Sequence, residues 1–234
     1  MLASIKTRTD RLWIMDLKEQ LNTIDIERLI LVPVFFFLLF INAWGIYAYL
    51  TDHSFSDVIS ILRLVHRGLV TCFYLLVVVL FFTRSQARTT SSSLLARTLA
   101  YVGTFLPFAL IILRNPETGI TLTLLSISIM TCGMLFSFYA LKTLGRSFGI
   151  MPQARALVRS GPYRFIRHPL YVGEIIAFAG TILAGFTIAK LVIFLLLATI
   201  QFYRALQEEK VLEETIQEYS MYKTTTKRFI PRLF

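Results

Sequence analysis

The sequence predicts an all-α integral membrane protein with about six membrane-crossing or membrane-embedded helices. Of its 234 residues, 56% are apolar and only 16% are charged, and several apolar runs are about as long as a bilayer is thick. These runs are continuous and do not alternate between apolar and polar residues, which favours helices over the strands of a closed barrel.

Four apolar segments are expected in the N-terminal part of the chain. Their predicted bounds are Leu29–Leu50, Gly68–Thr83, Leu94–Leu113 and Gly119–Leu141. Pro107 is expected to kink the third helix, because proline removes one helical hydrogen bond and crowds the preceding turn. The run from Thr89 to Ser93 is interpreted as a loop without a further role, and residues 114–117 form a turn.

The apolar stretch from Leu170 to Tyr203 is too long for one crossing and long enough for two short ones. A break at Gly185, Phe186 and Thr187 predicts a tight helical hairpin. Its second arm is expected to continue out of the bilayer as a charged cytoplasmic helix to about Tyr219.

Basic residues are distributed unevenly between the predicted loops. Twenty of the 24 Lys and Arg residues fall in four places: the N-terminus, the Ser/Thr-rich connection from Arg84 to Arg97, the segment from Lys142 to Arg167 and the tail from Arg204. An excess of Lys and Arg marks cytoplasmic loops, so both termini are predicted to be cytoplasmic. A bacterial inner membrane and an endoplasmic reticulum both fit. The charge of +10 is explained in this way, and no nucleic-acid partner is expected.

The cysteine and histidine residues in or beside the apolar runs are not assigned to a functional site. Cys72 and Cys132 lie in separate apolar runs and are interpreted as small core residues, not as a disulfide or metal pair. His53 and His66 are expected near the opposite membrane face and are assigned no catalytic role.

We therefore divide the chain into three parts. A cytoplasmic N-terminal segment covers residues 1–28, four transmembrane helices cover 29–141, and residues 142–234 form the region that carries the functional motifs. The polar and charged residues of that last region are concentrated in two stretches, Leu144–Glu174 and Arg204–Phe234.

In the first stretch, His168 directly precedes Pro169 and is placed at a helix entrance. Tyr171 and Gly173 follow in the first turn, where free backbone N–H groups can bind a polar or anionic group. The alternative is that the basic residues here, such as Arg164, only anchor the loop to lipid head groups.

In the second stretch, Arg204 and Glu208 are four residues apart and share one helical face, and Glu209 follows. Carboxylates at a membrane edge tend to face a protein interior or a polar cavity. The alternative is an exposed helical ion pair of little energetic weight.

Together these motifs resemble the isoprenylcysteine carboxyl methyltransferase family. The resemblance rests on R-H-P-L-Y-V-G-E at Arg167–Glu174, G-P-Y at Gly161–Tyr163 and R-x-x-x-E-E at Arg204–Glu209. The ending, Tyr219-x-x-Tyr222 with Arg228-Phe-Ile-Pro, is also similar. The resemblance covers roughly the last two fifths of the chain, and the first three predicted spans carry no matching motif.

The resemblance implies a membrane methyltransferase that uses S-adenosylmethionine and acts on a lipophilic or prenylated acceptor among the membrane lipids. It implies cofactor-binding roles for Tyr163, His168, Pro169, Tyr171, Gly173, Glu208 and Glu209. It also implies that Arg204 and Glu208 lie at the reacting group of the substrate.

The acceptor can be a carboxylate or an amine. A carboxylate is already ionised and needs no base, so Arg204 could orient it. An amine must lose a proton, and Glu208, Glu209 or His168 would then be the candidate base.

Two other classes of function compete with methyl transfer. A membrane sterol or steroid reductase with NADPH has a similar C-terminal pattern. A non-enzymatic membrane protein, such as a small transporter, should carry intramembrane charge along a path, and the central spans contain almost none.

Overall fold

The computed structural model describes residues 25–52, 57–113 and 118–231. Its helices are, in chain order, α1 (Ile26–Asp52), α2 (Val58–Thr83), α3 (Leu94–Phe105), α4 (Pro107–Ile112), α5 (Ile120–Leu144), α6 (Pro169–Leu183), α7 (Ile188–Thr215) and α8 (Tyr219–Thr225). Four of them, α1, α2, α5 and α7, are long and apolar enough to cross a membrane, while α3 with α4 and α6 form shorter apolar segments. The predicted all-α membrane protein is confirmed.

Apolar side chains cover much of the outer surface of the long helices. On α1, Phe36, Phe37 and Phe40 are each at least 60% exposed. Large apolar patches of this kind are unusual on a soluble protein and are expected where a helix contacts lipid.

Helix α2 begins ten residues before the predicted start at Gly68. Arg63, His66 and Arg67 interrupt the apolar run in the sequence, so the prediction stopped there. The helix continues through them: Arg67 donates from Nη1 to the Gly45 carbonyl of α1 at 3.3 Å, and His66 Nδ1 lies 3.3 Å from Thr131 Oγ1 of α5.

The predicted kink at Pro107 is confirmed as a break between two helices. α3 ends at Phe105, and Pro107 occupies the first position of α4, where its missing N–H is not needed. The Ser93 side chain accepts a hydrogen bond from the Ala96 N–H at 3.2 Å and caps the start of α3. His53 and the turn at residues 114–117 lie outside the described residues, as does most of the predicted N-terminal segment.

The predicted hairpin break is also confirmed, between Leu183 and Ile188. Thr187 caps α7 by accepting from the Lys190 N–H at 3.2 Å. The charged continuation of α7 is present but ends at Thr215, before the predicted end at Tyr219, because the backbone of Ile216 is extended. A separate helix, α8, follows.

Helices α5 and α6 approach so closely that side chains at the crossing are excluded. A Cβ on Gly133 would lie 2.3 Å from the Ala177 nitrogen, and a Cβ on Gly173 would lie 2.7 Å from the Ser137 nitrogen. Small residues let helix backbones pack at this distance within a membrane. This contact fixes the start of α6, and with it His168, relative to α5.

A short antiparallel pairing joins the two halves of the chain. Residues Thr89–Thr90 (β1) pair with Gln153–Ala154 (β2). The interpretation of Thr89–Ser93 as a loop without a further role is therefore wrong. Two-residue strands are too short to show alternation in a sequence, and their partners here are about sixty residues apart.

The prediction that both cysteines are core residues is also wrong. Cys72 and Cys132 are exposed on the outer faces of their helices, and both are free thiols. A continuous apolar run does not distinguish the lipid-facing side of a helix from the protein-facing side.

Replacing Gly133 by alanine is expected to destabilise the fold by about 1–3 kcal/mol, since the new methyl group must push apart two backbones. The measurement is thermal unfolding in detergent followed by circular dichroism. Gly68→Ala is the matched control, because a Cβ there meets nothing within 4 Å. Equal melting temperatures for the two variants would contradict the close α5–α6 contact.

Candidate active site

A cavity of about 270 Å³ lies between α2, α5, α6 and α7. Polar side chains, among them Tyr171, Glu174 and Arg204, line it where α6 begins and α7 carries its charged residues. Apolar side chains such as Phe73 and Met134 line the remainder. The cavity therefore offers a polar region and an apolar region to one ligand or to two.

The polar wall is a connected hydrogen-bond network. Gln201 donates from Nε2 to Glu174 Oε2 at 2.5 Å and accepts at Oε1 from Arg204 Nη1 at 2.9 Å. The Arg204 guanidinium lies 5.0 Å from the centre of the Tyr171 ring, and the Tyr171 hydroxyl donates to Glu208 Oε1. Arg204 is thus held in one place by partners on two helices.

The sequence motifs predict no role for Glu174 or Gln201. Glu174 ends the quoted motif, and Gln201 stands three residues before Arg204, which places it on the same face of α7. The three-residue spacing from Arg204 is the feature of the sequence that could have identified Gln201. A polar residue inside an apolar run near a site motif merits attention because it needs a buried partner.

Glu209 anchors a second cluster beside the cavity. Its carboxylate accepts from Arg167 Nε at 3.0 Å and Arg228 Nε at 2.8 Å, and it lies 3.1 Å from His168 Nε2. The carboxylate is almost fully buried, and two arginines compensate its charge. It therefore joins the start of α6, the end of α7 and the C-terminal tail.

His168 connects this cluster to the cavity. Its ring lies parallel to the ring of Tyr171 with the centroids 5.5 Å apart, and its Nδ1 is 3.8 Å from Glu208 Oε2. The structure thus brings His168 and Tyr171 together with both acids of α7, as expected from the sequence.

The other residues named from the sequence occupy different positions. Tyr163 lines the cavity, and its carbonyl accepts from the Tyr222 hydroxyl at 2.5 Å. Pro169 is the first residue of α6. Gly173 packs against Ser137 of α5. Pro169 and Gly173 shape the helix entrance and its packing and do not form part of the cavity wall.

Three buried polar atoms at the cavity have no partner among the described residues: Ser137 Oγ, Arg204 Nε and Tyr219 Oη. Leaving one such group unpaired costs about 1–3 kcal/mol. A polar ligand in the cavity would provide the missing partners.

Burial keeps the phenols around the tail neutral. It raises the pKa of Tyr222 to about 12, and it raises the pKa of Tyr219, where the charge of Glu209 acts in the same direction. Burial, with the nearby charge of Glu208, also raises the pKa of Tyr163 well above its ordinary value. These hydroxyls can bind a ligand by hydrogen bonds but do not act as anions near neutral pH.

The N-terminal helices, which carry no motif, supply part of the cavity wall. Tyr74 and Val77 of α2 line it, as does Gly103 of α3. A Cβ on Gly103 would lie 3.1 Å from Arg204 Cδ, so this glycine leaves space for the arginine. His66 also lines the cavity, and its Nδ1 is 3.3 Å from Thr131 Oγ1.

Part of the chain matches a known protein family. Residues 118–218, which contain α5, α6 and α7, match the family model described as phospholipid methyltransferase. The match confirms the resemblance to membrane methyltransferases over these residues, which make up less than half of the chain.

A curated relative is the cobalt-zinc-cadmium resistance protein CzcN of Cupriavidus metallidurans. It is 30% identical over 115 residues, which cover 49% of this chain and 50% of that protein. The chain therefore matches about half the length of this relative.

Replacing Glu209 by glutamine is expected to lower the free energy of unfolding by about 3–5 kcal/mol, because Arg167 and Arg228 would lose their shared counter-charge. Thermal unfolding and protease cleavage of the tail would measure the effect. Glu213→Gln is the control, since Glu213 lies on the same helix as Glu209 but pairs with Lys223 of α8 in a solvent-exposed ion pair, which should contribute at most about 1 kcal/mol. A Glu209 variant as stable as the control would contradict this role.

Proposed function

We propose that the chain is an S-adenosylmethionine-dependent methyltransferase that acts on a lipophilic acceptor. The proposal is carried by one observation: a single cavity joins a buried polar network to an apolar space between membrane helices. Methyl transfer to a lipid needs both environments at one point. The family match supports the same conclusion.

The residues around the polar region fit the cofactor. S-adenosylmethionine supplies an electrophilic methyl group on a positively charged sulfur when it is bound. Glu174 and Glu208 contribute two carboxylates beside one arginine, which suits a ligand with positive charge. Ser137 Oγ and Tyr219 Oη would gain the partners they lack.

We assign His168 and Tyr171 to cofactor binding and Glu208 both to cofactor binding and to the reacting centre. Tyr171 donates to Glu208, and the His168 ring stacks on Tyr171, so the three side chains hold one another in a fixed geometry. Glu209 acts on the cofactor site by orienting His168. Fixed side chains of this kind reduce the entropy lost on reaching a reactive geometry.

Arg204 favours a carboxylate acceptor. Its two Nη atoms donate to Gln201 and to the Ile150 carbonyl, while its buried Nε has no partner among the described residues. An anionic oxygen would satisfy Nε, and a carboxylate needs no base before methyl transfer. An amine acceptor would instead need Glu208 or His168 to take a proton.

The apolar part of the cavity fits an extended lipophilic group. On α2 both His66 and Val77 line it, and eleven residues of helix rise about 17 Å. An acceptor chain could enter between the helices from the bilayer while the cofactor arrives from the aqueous side. We place that side, with both termini, in the cytoplasm, and assign the chemistry to residues 142–234.

Purified protein is expected to bind S-adenosylmethionine by calorimetry and not NADPH. His168→Ala and Glu208→Gln should each weaken cofactor binding by about tenfold or more, since a charge-assisted contact is worth about 1.5–3 kcal/mol. Glu213→Gln should leave the affinity unchanged. Binding of NADPH alone would favour the reductase, and wild-type affinity in both site variants would exclude the proposed site.

The acceptor can be identified with methyl-labelled cofactor and a total lipid extract. Base treatment releases label from a carboxyl ester and not from an N-methyl group. We expect base treatment to release the label, because Arg204 favours a carboxylate acceptor. Base-stable label would show instead that the acceptor is an amine.

A further inference from the structure

A buried carboxylate stands at the start of the first membrane helix. The Glu27 side chain is only 1% exposed. Its Oε1 accepts from the backbone N–H groups of Ile150 at 2.9 Å and Met151 at 2.8 Å, and its Oε2 accepts from Arg84 Nη1 at 2.6 Å. An acid this deeply buried is held by specific donors on two other parts of the chain.

Ile150 connects this carboxylate to the proposed reacting centre. Its N–H donates to Glu27, and its carbonyl accepts from Arg204 Nη2 at 3.2 Å. Ile150 and Met151 also line the cavity. A change at Glu27 therefore reaches Arg204 through a single residue.

The segment that contains Ile150 is held to the N-terminal half at other points too. β2 pairs with β1, the Ser85 N–H donates to the Arg146 carbonyl at 2.9 Å, and Arg155 donates to the Ser85 carbonyl at 2.6 Å. These contacts hold the ends of the segment. Glu27 holds its middle, where the Arg204 contact lies.

We propose that Glu27 is a positioning residue for methyl transfer. It fixes the Ile150–Met151 backbone so that the Ile150 carbonyl holds Arg204 against the cavity. The proposal rests on the function proposed above for Arg204. It gives the first membrane helix, which lies outside the matched residues 118–218, a part in the reaction.

The structure provides a matched control in Asp25. Asp25 also pairs with Arg84 at the start of α1, but its side chain is partly exposed, and its hydrogen bonds go to Arg84 and to the Arg28 N–H. Asp25→Asn therefore removes an Arg84 ion pair and leaves the hydrogen bonds from Ile150 and Met151 to Glu27 intact.

The experiment compares Glu27→Ala, Glu27→Gln and Asp25→Asn in the full chain with labelled cofactor and the lipid extract. Glu27→Ala should lower kcat about 10- to 100-fold, because a misplaced catalytic group costs rates of this order, while the Kd for the cofactor stays within about twofold. Glu27→Gln keeps an oxygen for the two N–H groups and should recover part of kcat. Asp25→Asn should behave as wild type.

Hydrogen exchange gives a readout that needs no activity. In Glu27→Ala the amides of Ile150 and Met151 should exchange faster, while those of α2 and α5 stay protected. Faster exchange with wild-type kcat would overturn the proposal, as would equal losses in Glu27→Ala, Glu27→Gln and Asp25→Asn. If Glu27→Ala does not fold, Glu27→Gln alone decides: its kcat must fall below that of Asp25→Asn with the cofactor Kd unchanged.

The failure of the proposed function is distinguishable from the failure of this inference. A wild-type protein that binds no S-adenosylmethionine and labels no lipid would overturn the function and this inference together. An active wild type with an active Glu27→Ala variant would overturn this inference alone.

Discussion

The site region depends on the hydrogen bonds and ion pairs that the buried Glu209 carboxylate forms. It compensates two arginines, one at the entrance of α6 and one in the C-terminal tail, and it holds the His168 ring. A charge this deeply buried is tolerated only when it is paired and hydrogen-bonded. Because its partners come from two segments outside its own helix, satisfying the charge also assembles the proposed cofactor site.

The cavity follows from the same constraint applied to a membrane protein. Placing a polar group in hydrocarbon costs free energy. Glu174, Gln201 and Arg204 therefore form hydrogen bonds with one another inside the helix bundle. Among the described residues, Arg204 Nε of this network and the hydroxyls of Ser137 and Tyr219 have no partner, and these are the groups that a polar ligand could meet. The apolar residues beside them give a lipophilic group a place next to that polar ligand.

The two halves of the chain are interdependent. The N-terminal helices complete the cavity wall with Tyr74 and Gly103. The connection between α2 and α3 contains β1, which pairs with β2. A region that carries the motifs therefore relies on a region that carries none. The Glu27 contact with Ile150 is the most direct of these links to the proposed chemistry.

Local sequence patterns are enough to predict the apolar helices, the break after Leu183, the kink at Pro107 and the residues at the entrance of α6. These follow from local rules, since hydrophobic length, proline and glycine act within a few residues of their position. The packing of distant segments, and not the local pattern, places Gly173 against α5, turns Cys72 outward and pairs Thr89–Thr90 with Gln153–Ala154. Such contacts join residues far apart in the chain, and local patterns carry no information about which distant partner a residue meets.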